Sequence, residues 1–479
     1  MADGSTAHAH IGVREPQRDS VVHALVREHF LAFTERIDAE GGRPLPRYVV
    51  RDFDAYLRCG VLACGFMRAR CPTCGHDRLV AFSCKHRGVC SSCGGRRMSE
   101  TAANLVDRVI PAVPVRQWVL SLPWSLRLPV ARDASLLNLV ARVFFEEIRR
   151  WLRSAAGWSA PGVKIETGAV TFVQRFGGSL NLNPHLHVLV VDGVFACTDD
   201  GASPRFVETP APTRGELRGV LDRVHARVLA GLEARRVGER SDTSDDTMEA
   251  LRRTATGAGT FGRVRDDGRL DDADDAGSET ARGAARALVA EFGGFNVHAG
   301  VRVEASDRVG LERICRYLGR PPVATWRVSV LPDGNVAYRV KSPRSAARTH
   351  RIMTPVEFIA RLAALVPPPR HPLVRHHGVF APHSPWRVAV VPWPAAPAAI
   401  AKTRIEAARP AKPTSQRIDW ATLLRRVWGI DVLRCPACDG RMRMIAAIED
   451  RTAIVKILEH LGVSTELPRM TRSRDGPWA

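Results

Sequence analysis

Tyrosine is scarce in this 479-residue chain: Tyr48, Tyr56, Tyr317 and Tyr338 are the only four, so chemistry that needs a phenol has few places to reside. Lysine is also rare, six of 70 basic residues, and arginine carries nearly all of a formal net charge of +20. No run of about 18 apolar residues occurs, which excludes a membrane-spanning helix. The opening residues Met-Ala-Asp-Gly-Ser lack the charged-then-apolar layout of a secretory signal. A cytosolic protein with no membrane partner is expected, and in that reducing compartment the 11 cysteines read as metal ligands before disulfides.

The charge that is present is uneven. Residues 239–280 hold 12 Asp and Glu against 6 Lys and Arg, which leaves +26 on the remainder. Arginine's planar fork suits a bidentate grip on phosphate, so nucleic acid is the expected partner and the nucleoid the expected location. A GC-rich genome would account for the choice of arginine but not for the net charge.

At this length roughly three domains are expected. Residues 1–110 read as an N-terminal helical and metal-binding domain and 111–366 as an α+β core. A Pro- and Ala-rich linker follows over 367–415, and 416–479 reads as a small C-terminal module. Within the core, a helix from Ser99 through Val109 and a longer one after Asp133 should pack on a sheet. Gly168–Phe176, the turn Gly177-Gly178-Ser179 and the strand Pro184–Val191 read as a hairpin. A helix is expected over 213–236, and disorder over the acidic insertion 239–280. Phe295–Ala305 alternates as a strand, with Val297, Ala299, Val301 and Val303 on one face and Asn296, His298 and Arg302 on the other. Asp307 should cap a helix that buries Leu311, Ile314, Cys315 and Leu318.

Seven cysteines fall from Cys59 to Cys93, and the segment Arg58–Arg97 around them has eight Lys and Arg against one acid, Asp77. Cys71-x2-Cys74 and Cys90-x2-Cys93 are two knuckles whose spacing suits one tetrahedral zinc on four thiolates. Cys59 and Cys84 are candidate further ligands or ordinary buried thiols. Cys435-Pro-Ala-Cys438 is half a site, which either borrows ligands from a distant segment, the first module or another protomer, or is an unmetallated turn.

His185-Leu186-His187 lies on the expected strand, where a side-chain period of two puts both imidazoles on one face about 7 Å apart. Two imidazoles held that way are half of a divalent-metal site, for Mn2+ or Mg2+, and a third ligand is needed. Gln174, opposite His185 if the turn is short, and His298 on the third strand are the candidates. Tyr317 lies on a helix beside Arg313, Arg316 and Arg320, whose guanidinium groups would hold a phosphate. A metal that polarises a phosphodiester and a tyrosine that attacks it suggest strand cleavage through a covalent intermediate.

Three segments, Gly168–Gly177, Asn181–Phe195 and Arg316–Ala324, resemble the HUH rolling-circle transposases of the insertion sequence 91 family, including the common-region type. Ser83–Arg97 is similar to that family's N-terminal zinc-binding domain, and His377–Pro382 and Cys435–Arg443 to its later signatures. The resemblance implies an HUH endonuclease core, an antiparallel sheet with flanking helices. It implies that Tyr317 is the nucleophile, that His185 and His187 bind the catalytic metal, and that single-stranded DNA at element ends and target is the substrate. Some relatives carry a second tyrosine four residues on; here that position is Pro321, so a full cycle would reuse Tyr317, draw on another protomer of a homo-oligomer, or resolve by an outside route. A plasmid-type replication initiator or relaxase, and a non-catalytic zinc-containing DNA-binding protein, are the alternative readings.

Overall fold

The computed structural model describes residues 20–40, 43–157, 162–198, 203–236, 246–256, 288–340, 349–392, 421–422, 425–426 and 431–470. Helices α1 (Val21–Ala39), α2 (Arg47–Arg58) and α3 (Ser91–Arg108) precede α4 (Trp124–Arg132) and α5 (Ala134–Ala155). After them come α6 (Arg214–Arg236), α7 (Asp246–Thr256), the tyrosine helix Arg308–Leu318, and further helices at Pro355–Leu365 and Arg451–His460. The first eight strands are β1 (Phe66–Arg70), β2 (Asp77–Ala81), β3 (Val115–Ser121), β4 (Val163–Glu166), β5 (Gly168–Phe176), β6 (Leu182–Val191), β7 (Gly193–Thr198) and β8 (Arg205–Glu208). The others are β9 (Val289–Phe292), β10 (Phe295–Val303), β11 (Val328–Val330), β12 (Val336–Arg339), β13 (His350–Met353), β14 (Val374–Gly378) and β15 (Arg443–Ile448). The fold is α+β. Among the described residues no helix is long and apolar enough to cross a membrane.

The centre is a six-stranded antiparallel sheet in the order β14-β5-β6-β3-β10-β9. The expected β5–β6 hairpin forms, with Gln174 opposite His185 and Phe172 opposite His187. Both faces of β6 are covered, which is why its second half, Val188–Val191, is apolar without alternation. On one face Leu186, Val188 and Val190 pack with Trp118 and with Phe144 and Ile148 of α5 and Leu221 and Val224 of α6. On the other, Phe172, Leu189 and Val191 pack with Leu105 of α3 and with Leu311, Cys315 and Leu318 of the tyrosine helix. Because His185 and His187 alternate with Leu186 and Val188, both imidazoles fall on this second face.

Several expectations are corrected. β3, which pairs with both β6 and β10, was not foreseen. Its sequence Val-Arg-Gln-Trp-Val-Leu-Ser interrupts the apolar alternation with Arg116 and Gln117, yet both are buried. Arg116 is tolerated there because Nε and Nη2 donate to the two Asp192 oxygens at 2.8 and 2.7 Å. A bulge in β10 shifts the register between His298 and Val301. Val297 and Ala299 therefore face the α5–α6 side while Val301 and Val303 pack on the opposite face, not together. α3 starts at Ser91, well before Ser99, because the Cys90 thiol caps it by accepting from the Cys93 N–H.

The expected linker over 367–415 does not begin at 367: Val374–Gly378 adds β14 to the edge of the sheet beside β5. Within the expected disordered insertion, residues 246–256 form α7, which buries Met248 and Leu251 against the helix Pro355–Leu365; 239–245 and 257–280 lie outside the described residues. Residues 431–470, within the expected C-terminal module, pack on the N-terminal region. β15 pairs antiparallel with β1, and Ile454 and Leu458 bury against Leu62, Phe66 and Leu79 of the N-terminal region.

The buried Arg116–Asp192 pair makes a prediction. Asp192→Ala leaves the Arg116 charge buried and unpaired, and should lower stability by about 3–5 kcal/mol. Urea unfolding followed by circular dichroism measures this, and a change under ~1 kcal/mol would show that water already compensates Arg116.

Candidate active site and cysteine clusters

The imidazoles of His185 and His187 are 1% and 0% exposed, and their rings lie 4.8 Å apart between centroids at 67°. His185 Nδ1 is 2.7 Å from the Asn183 carbonyl oxygen. A carbonyl can only accept, so Nδ1 carries the proton and Nε2 holds the lone pair. His187 Nδ1 is 2.8 Å from the side-chain amide of Gln117 on β3.

The tyrosine helix lies over these rings. Asp307 caps it by accepting from the Gly310 N–H at 2.7 Å, as its sequence suggests. Ser-Asp ahead of an apolar stripe is what sets the helix start, and hence the phase that turns Tyr317 towards the sheet. The Tyr317 ring meets the His187 ring edge to face, 6.2 Å between centroids at 83°. The Arg320 guanidinium sits 4.4 Å above the Tyr317 ring.

Gln174 joins the two halves. Its Nε2 donates to the carbonyls of Tyr317 at 3.3 Å and Leu318 at 3.0 Å, which are the last two of the helix. Because those partners are carbonyls, the nitrogen of the amide must face them. That leaves Gln174 Oε1, buried and without a hydrogen-bond partner, on the strand position opposite His185. An amide oxygen and imidazole nitrogens are donor types that suit a divalent ion, so the residues present fit such a group.

His298 shares the face of His187, since both pair with Val119, but β3 stands between them. At the spacing of strands that is about 10 Å, twice the separation of neighbours. Of the three arginines, Arg320 touches Tyr317, whereas Arg316 is held by Glu312 at 2.5 Å and Arg313 is exposed. Gln117 and Asn183 escaped the sequence reading. A polar residue inside an apolar strand was the available signal for Gln117; nothing marks the Asn183 carbonyl.

The cysteines group differently from expectation. Cys71 and Cys74 do not join Cys90 and Cys93: the thiols that come together are Cys59, Cys84, Cys90 and Cys93, and separately Cys71, Cys74, Cys435 and Cys438. The β1–β2 hairpin is the reason. Cys71 and Cys74 sit at its tip, while Gly60 and Phe82, whose backbones bond at 2.9 Å, close its base beside Cys59 and Cys84. Five residues of strand separate tip from base by about 17 Å. Cys59 and Cys84 are therefore ligand candidates of the first rank rather than spare thiols.

In the first cluster Cys59–Cys93 and Cys90–Cys59 sulfurs are 3.6 Å apart and Cys84–Cys93 3.5 Å. Four thiolates around zinc at 2.3 Å stand about 3.8 Å from one another, so the cage has nearly the right size. Backbone N–H groups of Cys84 and Lys85 point at the Cys59 and Cys93 sulfurs, both at 3.3 Å. Hydrogen bonds from the Cys59, Cys84 and Cys90 thiols and the Lys85 N–H hold Cys93 well below the ordinary thiol range. The arrangement supports structural zinc.

This cluster also touches the tyrosine segment. Cys90 and Cys93 open α3, and a Cβ added at the next residue, Gly94, would lie 2.7 Å from Pro321 Cβ. One turn later Met98 Cα lies 3.5 Å from where a Gly319 Cβ would be.

Residues 25–122 match the transposase zinc-binding domain of the insertion sequence 91 family, and residues 168–387 match the Y2_Tnp transposase family. The chain belongs to the insertion sequence 91-type transposases. No curated protein and no solved structure matches it. The zinc-binding match of this transposase includes the whole first cluster and β3 with Gln117, and the second match includes Gln174, His185, His187 and Tyr317. Cys435 and Cys438 lie beyond both.

Cys93→Ser should reduce the zinc content and lower the thermal unfolding midpoint, because α3 loses its anchored start. Metal analysis alongside calorimetry tests this; a midpoint unchanged despite lost zinc would deny the cluster a structural role.

Proposed function

We propose that this transposase nicks and rejoins single-stranded DNA at element ends through a covalent 5′-phosphotyrosine on Tyr317, within an HUH-type core that supports rolling-circle transposition. The observation that carries the reading is the contact of the Tyr317 ring with His187, 6.2 Å between centroids, from segments 130 residues apart. His185 and His187 through Nε2, and Gln174 through Oε1, would hold Mg2+ or Mn2+. When bound, such an ion supplies Lewis-acid polarisation of the scissile phosphate.

The chain's own residues do the rest. The Tyr317 oxygen attacks phosphorus and the phenol proton passes to solvent; the bond from phosphorus to O3′ breaks with its electron pair going to O3′, which takes a proton from solvent, so a 3′ hydroxyl is freed while the 5′ phosphate stays on the enzyme. The phosphotyrosine conserves the diester bond for rejoining. Arg320, over the ring, balances phosphate charge. For His187 to offer Nε2 its proton must be on Nδ1, so Gln117 would turn its carbonyl oxygen to that N–H. Gln174 fixes the end of the nucleophile's helix with one amide atom and would hold the ion with the other. His298, two strands away, is the weaker third ligand.

The single tyrosine has a structural consequence. Pro321, at the position where some relatives carry a second tyrosine, lies against Gly94 of α3. Strand exchange would then reuse Tyr317 or draw on a second protomer. A basic cavity of about 730 Å³, lined by Arg47, Arg51, Lys85, His86, Arg87 and Arg97 beside Val366–Pro369, offers the nucleic-acid strand a phosphate track on the zinc-binding domain.

Tyr317→Phe should abolish attachment to a labelled single-stranded oligonucleotide in Mn2+, while leaving binding intact; an adduct that survives on a denaturing gel would reject the nucleophile. Gln117→Leu should raise the Mn2+ concentration needed for cleavage roughly 10–100-fold, with the tyrosine untouched. Arg47→Glu with Arg51→Glu, on exposed positions of α2, should weaken single-strand binding for every sequence and reduce the salt slope by about 1 per lost phosphate contact. An unchanged slope would move the strand elsewhere.

A further inference from the structure

The second cysteine cluster is built from the two ends of the described chain. Cys71 meets Cys438 at 3.5 Å between sulfurs across 367 residues, and Cys74 meets Cys435 at 3.6 Å across 361. All four sulfurs lie within 4.8 Å of one another. The two loops share one plan. Each reads Cys-Pro-x-Cys, and the next residue, Gly75 or Asp439, takes a left-handed conformation with φ of 75° or 59°. Gly75 N donates to Cys71 O at 2.9 Å and Asp439 N to Cys435 O at 3.0 Å. Cys71 N then bonds His76 O at 2.9 Å and Cys435 N bonds Gly440 O at 2.8 Å.

The loops face each other closely: a Cβ at Gly440 would meet Thr73 Oγ1 at 3.1 Å and the Cys71 sulfur at 3.3 Å. β15 leaves the second loop and pairs with β1 from Arg443 opposite Arg70 to Ile448 opposite Phe66. That makes β1 the middle strand of a three-stranded sheet. Without β15, β1 and β2 would be an isolated two-stranded hairpin, a marginal structure in water.

We propose that Cys71, Cys74, Cys435 and Cys438 bind a second zinc, separate from the ion of the first cluster, and that this ion is the clasp by which the C-terminal segment completes the N-terminal zinc-binding domain. Neither loop alone has more than two thiolates, and a tetrahedral structural site takes four, so the ion and the chain closure are one event. Four approaching thiolates with nothing between them would repel; a divalent cation turns that repulsion into the attraction that holds the ends together. The closure extends to the nucleophile. Arg426, nine residues before Cys435, bonds Asp107 on α3 and Glu312 on the tyrosine helix, the latter at 2.6 Å, and Glu312 in turn holds Arg316. The C-terminal segment is thus fastened at the clasp and across the junction of α3 with the tyrosine helix.

The two clusters should differ in access. Cys74 and Cys438 are exposed, whereas Cys59, Cys90 and Cys93 are all buried. The clasp ion should therefore leave first.

Zinc content of the purified full chain tests this independently of any DNA activity. Wild type should hold two equivalents and release them to a chelator in two phases, the faster being the clasp. Cys435→Ser with Cys438→Ser should hold one equivalent, show only the slow phase, and be cut by trypsin between Arg434 and Arg443 roughly tenfold faster or more. One equivalent in wild type, or two retained by the double variant, would overturn the proposal. If the double variant fails to fold, cobalt titration of the zinc-free wild type decides: tetrahedral thiolate absorption must saturate at two equivalents, and saturation at one refutes the clasp.

Discussion

The contact between the tyrosine helix and the histidine face of the central sheet is the interaction on which the site depends. It is made by ordinary apolar packing: Leu311, Cys315 and Leu318 sit on Phe172, Leu189 and Val191. Packing alone would allow the helix to slide, and Gln174 removes that freedom by bonding its last carbonyls. The same side chain stands opposite His185 on the neighbouring strand. Gln174 thereby links the end of the tyrosine helix to the strand position opposite His185.

The zinc-binding domain is packed against the tyrosine helix. Its first cluster opens α3, α3 packs along the tyrosine helix, and Gly94 lies against Pro321. Only glycine fits there, since any larger residue would push on the rigid ring that ends the tyrosine segment. Arg426 ties the same two helices from the outside through Asp107 and Glu312. Arginine that the composition marks for phosphate is thus partly spent on structure, as Arg116 with Asp192 and Arg223 and Arg227 with the buried Glu147 also show. Among the described residues, Arg47 and Arg51 on α2 with Lys85, Arg87 and Arg97 line one basic cavity.

Local chemistry was legible in the sequence wherever a short period or a cap determined it. The period of two placed His185 and His187 on one face, the short turn set Gln174 opposite His185, and Asp307 fixed the start of the tyrosine helix. Partners remote in sequence were not legible. Cysteine spacing identifies the ligand type and the loop, but the length of the β1–β2 hairpin decides which loops meet, and that separated Cys71 from Cys90. β3 was invisible because its buried Arg116 and Gln117 are satisfied by Asp192 and His187, residues about 70 positions away. The β10 bulge and the edge strand β14 carry no pattern of their own and arise from what they pair with.

Crystals soaked with Mn2+ and measured at the manganese absorption edge put the central claim to its most direct test. An anomalous peak is predicted at bonding distance, about 2.2 Å, from His185 Nε2, His187 Nε2 and Gln174 Oε1, on the side of the rings that Tyr317 overlies. A manganese peak bound elsewhere, or no peak at that position under conditions where single-stranded DNA is cleaved, would contradict it.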